Sequence, residues 1–69
     1  MKTTDKIINQ LAKVREDGRA NMMDRRAVQA VANDLELYDL VVWCEDVRKK
    51  PEQYMAALQA MGERREVEA

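Results

Sequence analysis

The sequence predicts an all-α fold, a compact bundle of four short helices with a helix–turn–helix-like central pair. The 69 residues include only two glycines and one proline, so few positions interrupt a helix. Apolar residues recur three and four positions apart, which is the spacing of a helix with one buried face. No stretch alternates apolar and polar residues in the way that a half-buried strand does.

The first predicted helix runs from Asp5 to Asp17. The Thr4 hydroxyl can accept hydrogen bonds from free N–H groups of the first turn, and the Asp5 carboxylate is favourable at the positive end of the helix dipole. Gly18 follows the helix, where a residue in the left-handed conformation often ends one. The residues expected on its buried face are Ile7, Ile8, Leu11 and Val14.

The second predicted helix runs from Arg25 to Asn33, after a connector of residues 19–23. Asp24 is its predicted N-cap. Met23, just before this cap, is expected to pack on Val28 in a hydrophobic staple. The residues expected to mark its buried face are Val28, Val31, Ala32 and Leu35.

The third predicted helix runs from Leu37 to Lys49. Asn33 and Asp34 favour a turn before it, because their side chains compete for backbone hydrogen bonds. Pro51 ends the third helix, since the residue before a proline avoids the helical conformation. The expected core positions are Leu37, Leu40, Val41, Cys44 and Val47.

Pro51 is also well placed as the first residue of a fourth helix, which Gly62 is expected to end. Its predicted apolar face consists of Tyr54, Met55, Leu58 and Met61. Residues 1–62 therefore form a single predicted helical domain. Residues 63–69 form a charged C-terminal tail that is expected to fray.

The composition argues against several classes of function. The chain has no histidine and one cysteine, so no cofactor and no metal site are expected. Twelve basic and thirteen acidic side chains give a net charge of −1, which does not favour nucleic acid or an anionic membrane. No apolar run approaches the roughly 18 residues of a membrane span, and the N-terminus lacks the apolar core of a signal peptide. The expected compartment is the cytoplasm.

Enzymatic activity is not expected. Cys44 has no histidine to activate it, and its predicted role is that of a small buried core residue. Serine and a glycine-rich phosphate loop are both absent. The adjacent carboxylates Glu45 and Asp46 point to different sides of a helix, so they are expected to be solvated rather than to act as an acid–base pair.

The central pair of helices raises nucleic-acid binding as an alternative. With Ala32 as the small residue of a helix–turn–helix motif, its apolar positions fall on Val31, Leu35, Leu37 and Val42. However, Glu36 replaces the usual turn glycine, and Glu45 occupies the last apolar position. Asp39 and Asp46 on the outer side of the second helix would repel phosphate. The sequence therefore favours a protein partner over nucleic acid.

The third helix has more apolar residues than one buried face can use. Val42 lies roughly opposite the Leu40/Cys44 face on a helical wheel, and Trp43 lies at the margin. One interpretation is that the helix is covered on two sides. The other is a protein-binding or dimer-forming surface made of Tyr38, Val42 and Trp43. A homodimer would also offset the small core of such a short chain.

Four arginines around the first connector form a second candidate site. They are Arg15, Arg19, Arg25 and Arg26. These side chains can contact an anion or an acidic patch on a partner, or they can pair locally with neighbouring acidic residues. Arg25 and Arg26 are unfavourable at the positive end of a helix, and Asp24 offsets this only partly. Local pairing is the favoured interpretation, and a partner for the arginines is the alternative hypothesis.

Residues 7–50 also carry an unusual set of short elements. They include Asn21-Met22-Met23-Asp24, Val28-Gln29, Ala32-Asn33 and Tyr38-Asp39-Leu40-Val41. This segment resembles a family of small phage- and prophage-encoded proteins of unknown function, in which Met23 is replaced by an aromatic residue and the chain ends soon after residue 50. The resemblance implies a viral or mobile-element origin and a protein that binds a host or phage protein, with inhibition of a host protein as one outcome. It supplies no site residues, and a structural phage subunit stays open as an alternative.

Overall fold

Four α-helices and one short 3₁₀ helix make up the structure. The computed structural model describes the backbone of residues 2–68 and the side chains of residues 2–63. The α-helices are α1 (Asp5–Asp17), α2 (Arg25–Asp34), α3 (Tyr38–Asp46) and α4 (Pro51–Glu68), and the 3₁₀ helix between α3 and α4 is Val47–Lys49. Residues 2–68 contain no strand. The prediction of an all-α bundle of four helices is confirmed.

The helix bounds agree with the predicted bounds except near the C-terminus of the chain. Helix α1 has the predicted bounds, and α2 is one residue longer. Helix α3 begins one residue later than predicted, and the last turn expected for it is the 3₁₀ helix. The prediction that Gly62 ends the last helix is wrong, because α4 continues to Glu68. A glycine inside a helix costs only about 1 kcal/mol relative to alanine. The glutamate and arginine residues that follow Gly62 are good helix formers, which explains the continuation.

The predicted caps are confirmed, but the predicted staple is not. The Thr4 hydroxyl accepts a hydrogen bond from the first turn of α1, and the Asp24 carboxylate accepts two from the first turn of α2. Gly18 follows α1 with φ of 81°. Met23 is 63% exposed, so it does not form the staple with Val28. The methionine before it packs partly buried against the core instead.

Helix α1 lies at the centre of the bundle and contacts each of the other three α-helices. All four residues predicted for its buried face are buried. In α4 the predicted face is slightly rotated: Ala57 is buried beside Tyr54 and Met61, whereas Met55 is 46% exposed. The core consists of Ile7, Ile8, Leu11, Val14, Val28, Val31, Ala32, Leu40, Trp43, Cys44, Val47, Tyr54, Ala57 and Met61.

Two aromatic side chains pack together inside this core. The rings of Trp43 and Tyr54 are stacked, with 5.8 Å between their centroids. The Trp43 indole N–H donates to the Thr3 hydroxyl at 3.0 Å, and the Tyr54 hydroxyl donates to the Met22 carbonyl at 2.6 Å. Both polar ends are therefore satisfied, which removes the cost of burying them unpaired.

The turn between α2 and α3 depends on a residue in the left-handed conformation. Glu36 has φ of 61°. Its N–H donates to the Asn33 carbonyl at 3.1 Å, and the Leu37 N–H donates to the Ala32 carbonyl at 2.8 Å. These two bonds form a Schellman motif, in which glycine is the usual left-handed residue. A side chain in this conformation costs about 1–2 kcal/mol.

Helix α3 begins without a cap of its own. Leu37 precedes it and provides no side-chain acceptor. Instead, the Gln10 side chain of α1 accepts a hydrogen bond from the Leu40 N–H at 2.9 Å. Lys6 of α1 forms an ion pair with Asp39 at 2.5 Å. Helix α1 therefore fixes the position of the first turn of α3.

We expect Glu36→Gly to stabilise the fold by roughly 0.5–1 kcal/mol, because it relieves the left-handed strain at some cost in chain entropy. Urea unfolding followed by the fluorescence of Trp43, the single tryptophan, measures this change. Glu36→Ala is the matched control, since it removes the carboxylate and keeps the Cβ atom. Equal stability of the glycine and alanine variants would contradict the assignment of strain.

We expect Gln10→Met to lower the free energy of unfolding by about 1 kcal/mol, because it leaves the Leu40 N–H without its acceptor. Gln10→Glu keeps an acceptor oxygen and should lose less. Amide hydrogen exchange provides the specific measurement, with faster exchange at Leu40 expected in the methionine variant. An unchanged Leu40 exchange rate would show that Gln10 does not cap α3.

Candidate functional site

The exposed side of α3 carries two of the three residues predicted for protein binding. Tyr38 and Val42 are each 58% exposed. They are one helical turn apart, so their side chains lie next to each other on the same side of α3. We call this pair the Tyr38/Val42 ridge. It places an aromatic ring and a branched aliphatic group side by side in solvent.

Trp43 is not part of this ridge. It is completely buried, with Tyr54 stacked on its ring and Thr3 bonded to its indole nitrogen. The prediction that Trp43 lies at an exposed binding surface is therefore wrong. Tyr54 of α4 and Thr3 of the segment before α1 cover α3 at Trp43. The interpretation that α3 is covered on two sides fails at Val42, whose side chain is exposed.

A shallow groove of about 490 Å³ lies beside the ridge, between α2 and α3. Its lining residues are Gln29, Val41, Val42, Glu45 and Asp46. The Gln29 amide connects the two helices: it accepts from the Arg25 guanidinium at 2.7 Å and donates to the Glu45 carboxylate at 3.4 Å. The charged groups that line the groove are both carboxylates.

Each of these two carboxylates has a basic neighbour towards the end of α3. Glu45 pairs with Arg48 at 3.6 Å, and Asp46 pairs with Lys50 at 3.8 Å. The side chains stay open to solvent, with 57% of Glu45 and 32% of Asp46 exposed. Exposed ion pairs of this length contribute little to stability, and a carboxylate has several acceptor sites, so a basic group of a partner can be added to the existing pairs.

Two of the four predicted arginines are engaged within the fold. Arg19 pairs with Asp17 at 2.5 Å and with Asp34 at 2.6 Å, which joins the end of α1 to the end of α2. Its hydrogen bond lowers the pKa of the Asp17 carboxyl. The Arg25 guanidinium also donates to the Cys44 carbonyl at 3.3 Å. Local pairing, rather than an external partner, accounts for these two side chains.

Arg15 and Arg26 are the other two members of the set. Among the residues whose side chains are described, neither guanidinium has an ion pair or a hydrogen bond. Arg15 is half-buried near the end of α1, and Arg26 is exposed in the first turn of α2. The positive charge available to a partner at this connector comes from these two side chains.

Cys44 has the predicted core position. It is completely buried, and burial raises the pKa of its thiol to about 11. The thiol is therefore protonated at neutral pH. Within the described part of the chain, no group of three or more acidic or cysteine side chains could hold a metal ion. None of the described helices is long and apolar enough to cross a membrane.

The α2–turn–α3 unit departs from the helix–turn–helix pattern at apolar positions. Leu35 is 36% exposed and Val42 is 58% exposed, although both positions are buried in such motifs. Glu36 still forms the left-handed turn that the pattern assigns to glycine. Asp39, about half of whose side chain is exposed, adds negative charge to the first turn of α3.

Sequence reasoning missed the part of the site that α2 provides. Gln29 and Val41 line the groove together with the predicted Val42. Val41 was expected in the core and is half-buried. Glu45 carried a usable signal, because a carboxylate at an apolar position of the motif indicates an open surface. No local signal identifies Gln29, since its role depends on how α2 packs against α3.

One comparison with known proteins places the chain in a family. None of the curated proteins and none of the solved structures compared with the chain matches it. A family model described as a domain of unknown function, DUF5049, matches residues 3–56. This range extends from the segment before α1 into the first turns of α4, and it contains the ridge and the groove. The chain belongs to the DUF5049 family.

Proposed function

We propose that the chain is a small non-enzymatic phage or prophage protein that acts by binding another protein through the Tyr38/Val42 ridge. The observation that carries the proposal is the exposure of these two side chains, 58% each, on one turn of α3 beside an open groove. Burial of such side chains is favourable, and tyrosine is enriched where interfaces gain most of their binding energy.

The size of the domain is sufficient for a specific interface. Such interfaces bury about 800 Å² on each partner. The accessible surface of this protein is 4637 Å², so a partner would cover roughly a sixth of it. The surface area of the two ridge residues alone is too small for such an interface, so the partner would have to contact α2 as well as α3.

The resemblance of residues 7–50 to phage and prophage proteins supports a viral origin. A host protein is then the proposed target, with modulation or inhibition as the result and the host cytoplasm as the compartment. Arg15 and Arg26 would steer the approach of an acidic part of the target. If the protein is instead a structural phage subunit, it would form a defined higher oligomer.

Nucleic-acid binding is the second candidate. The observation in its favour is that Arg15 and Arg26 have no ion pair with any residue whose side chain is described. The exposed side of α3 argues against it, because Asp39, Glu45 and Asp46 would approach phosphate. Salt separates the two candidates. Phosphate binding weakens steeply as salt rises, whereas an interface centred on Val42 should change little.

The non-enzymatic part of the proposal predicts an unreactive thiol. At pH 7–8 we expect Cys44 in the folded protein to react with a thiol reagent at least about a hundredfold more slowly than in denaturant, because it is buried and its pKa is about 11. The rate at which a chromogenic thiol reagent releases its coloured product measures the reaction of Cys44. Rapid labelling of the folded protein would contradict the assignment of Cys44 as a core residue.

The protein-binding part predicts that Val42→Asp abolishes capture of a target. The experiment is a pull-down with tagged protein from host lysate, carried out with and without nuclease. Met55→Asp is the matched control, because it places the same carboxylate at a residue that is 46% exposed on α4. We expect wild type and the control to retain the same protein and Val42→Asp to lose it.

Circular dichroism must show that both variants keep the helical content of the wild type. A captured protein that all three forms retain equally would contradict a role for the ridge. Retention that disappears with nuclease would favour the nucleic-acid candidate instead. In that case the double variant Arg15→Gln, Arg26→Gln should lose binding, whereas Val42→Asp should retain it.

A further inference from the structure

The chemistry of the groove beside the ridge restricts what can occupy it. We propose that the partner contributes a basic amphipathic helix, which lies along the groove between α2 and α3 with its apolar side on the Tyr38/Val42 ridge and lysine or arginine side chains at Glu45 and Asp46. This inference rests on the proposed function, since it names the chemistry of the partner at the same surface.

The form of the ridge favours a helix as the occupant. Tyr38 and Val42 are one turn apart, and rows of side chains with this spacing pack into the grooves of another helix. The groove itself lies between two helices, as in other proteins that bind amphipathic helices. Residues 2–68 include no strand, so no sheet edge is available there for an extended peptide. Helix α3 has nine residues, which a partner helix of about three turns would match in length.

The charges around the groove favour a basic occupant. Both charged side chains that line it are carboxylates, and each is open to solvent. The stretch from Asp34 to Asp46 has no basic residue of its own, although Arg19 and Lys6 from other segments pair with Asp34 and Asp39. Lysine or arginine on the partner would extend the existing pairs of Glu45 and Asp46 into small networks. An acidic helix would be repelled.

A second copy of this chain does not fit the described surface as well. Such a copy would have to present a helix with an exposed apolar row beside basic residues. The exposed side of α1 is polar, and α2 exposes no large apolar side chain. Residues 51–63 of α4 expose Met55 but contain no basic residue. Helix α3 of a second copy has the apolar row but no basic residue, so the described helices point to a different protein as the partner.

A displayed library of helical peptides tests this inference without knowledge of the natural partner. Each peptide has a fixed leucine stripe at positions three and four apart, with flanking positions varied among lysine, glutamate and glutamine. The folded full-length protein is the bait, and Val42→Asn is used for counter-selection because it removes the apolar group without adding charge. Glu45→Lys and Glu45→Gln are parallel baits, each checked by circular dichroism.

We expect the wild-type bait to select peptides with lysine at the flanking positions and the Glu45→Lys bait to select peptides with glutamate there. The Glu45→Gln bait should show little charge preference at these positions. In selected clones, exchanging one flanking lysine for glutamate should weaken binding by about fivefold. Binding to Val42→Asn should be weaker by at least about tenfold. Reversal of the preferred charge by a single substitution in the bait requires direct contact between the flanks and the groove.

Other outcomes overturn the inference in distinguishable ways. One such outcome is that the selected peptides show no charge preference at their flanking positions and still fail to bind Val42→Asn. That result would overturn the proposal of a basic partner and leave the proposed function intact. Peptides that bind wild type and Val42→Asn equally would show that the ridge is not the binding surface, which would overturn both this inference and the proposed function. If the wild-type bait enriches no helical peptide above background, the proposal of a helical occupant would be overturned. A bait that sediments as a dimer and becomes a monomer with Val42→Asn would show that a second copy fills the groove.

Discussion

The burial of Trp43 determines which side of α3 faces solvent. Helix α3 is apolar around most of its circumference, so sequence alone allows more than one orientation. Trp43 is its largest side chain, and it gains both the stack on Tyr54 and the hydrogen bond to Thr3 when it is inside. Neighbouring residues on a helix point about 100° apart, so an inward Trp43 leaves Val42 with no core to enter. The ridge is a consequence of this packing.

Polar contacts from α1 and from the connector after it hold the surface in place. Gln10 caps the first turn of α3, Lys6 pairs with Asp39 beside it, and Arg19 reaches the end of α2 at Asp34. Each exposed ion pair adds little stability, and the core supplies most of it. Their effect is positional, since they fix both walls of the groove relative to α1. A surface on two fixed helices binds with a smaller loss of conformational entropy than a loop does.

The features that the sequence predicts correctly depend on neighbours in the chain. Thr4, Asp24 and Gly18 act on backbone groups within four residues, so their roles follow from local chemistry. Trp43 was misplaced because its partner Thr3 is 40 residues away in the chain. Arg19 was assigned to an open cluster because its pairing with Asp34 depends on how α1 and α2 end side by side. For the same reason Tyr38 and Val42 were predicted as surface residues, whereas Gln29 was not.

Apolar and acidic residues would have different roles at this site. Exposed charge pairs add little to affinity but strongly influence the rate of association and the choice of partner. Burial of Tyr38 and Val42 has no such directional selectivity, because apolar burial depends on area alone. The ridge would therefore set how long a complex lasts, and Glu45 and Asp46 would set which helices form one. The same carboxylates repel phosphate, so one set of charges disfavours nucleic acid and favours a basic protein segment.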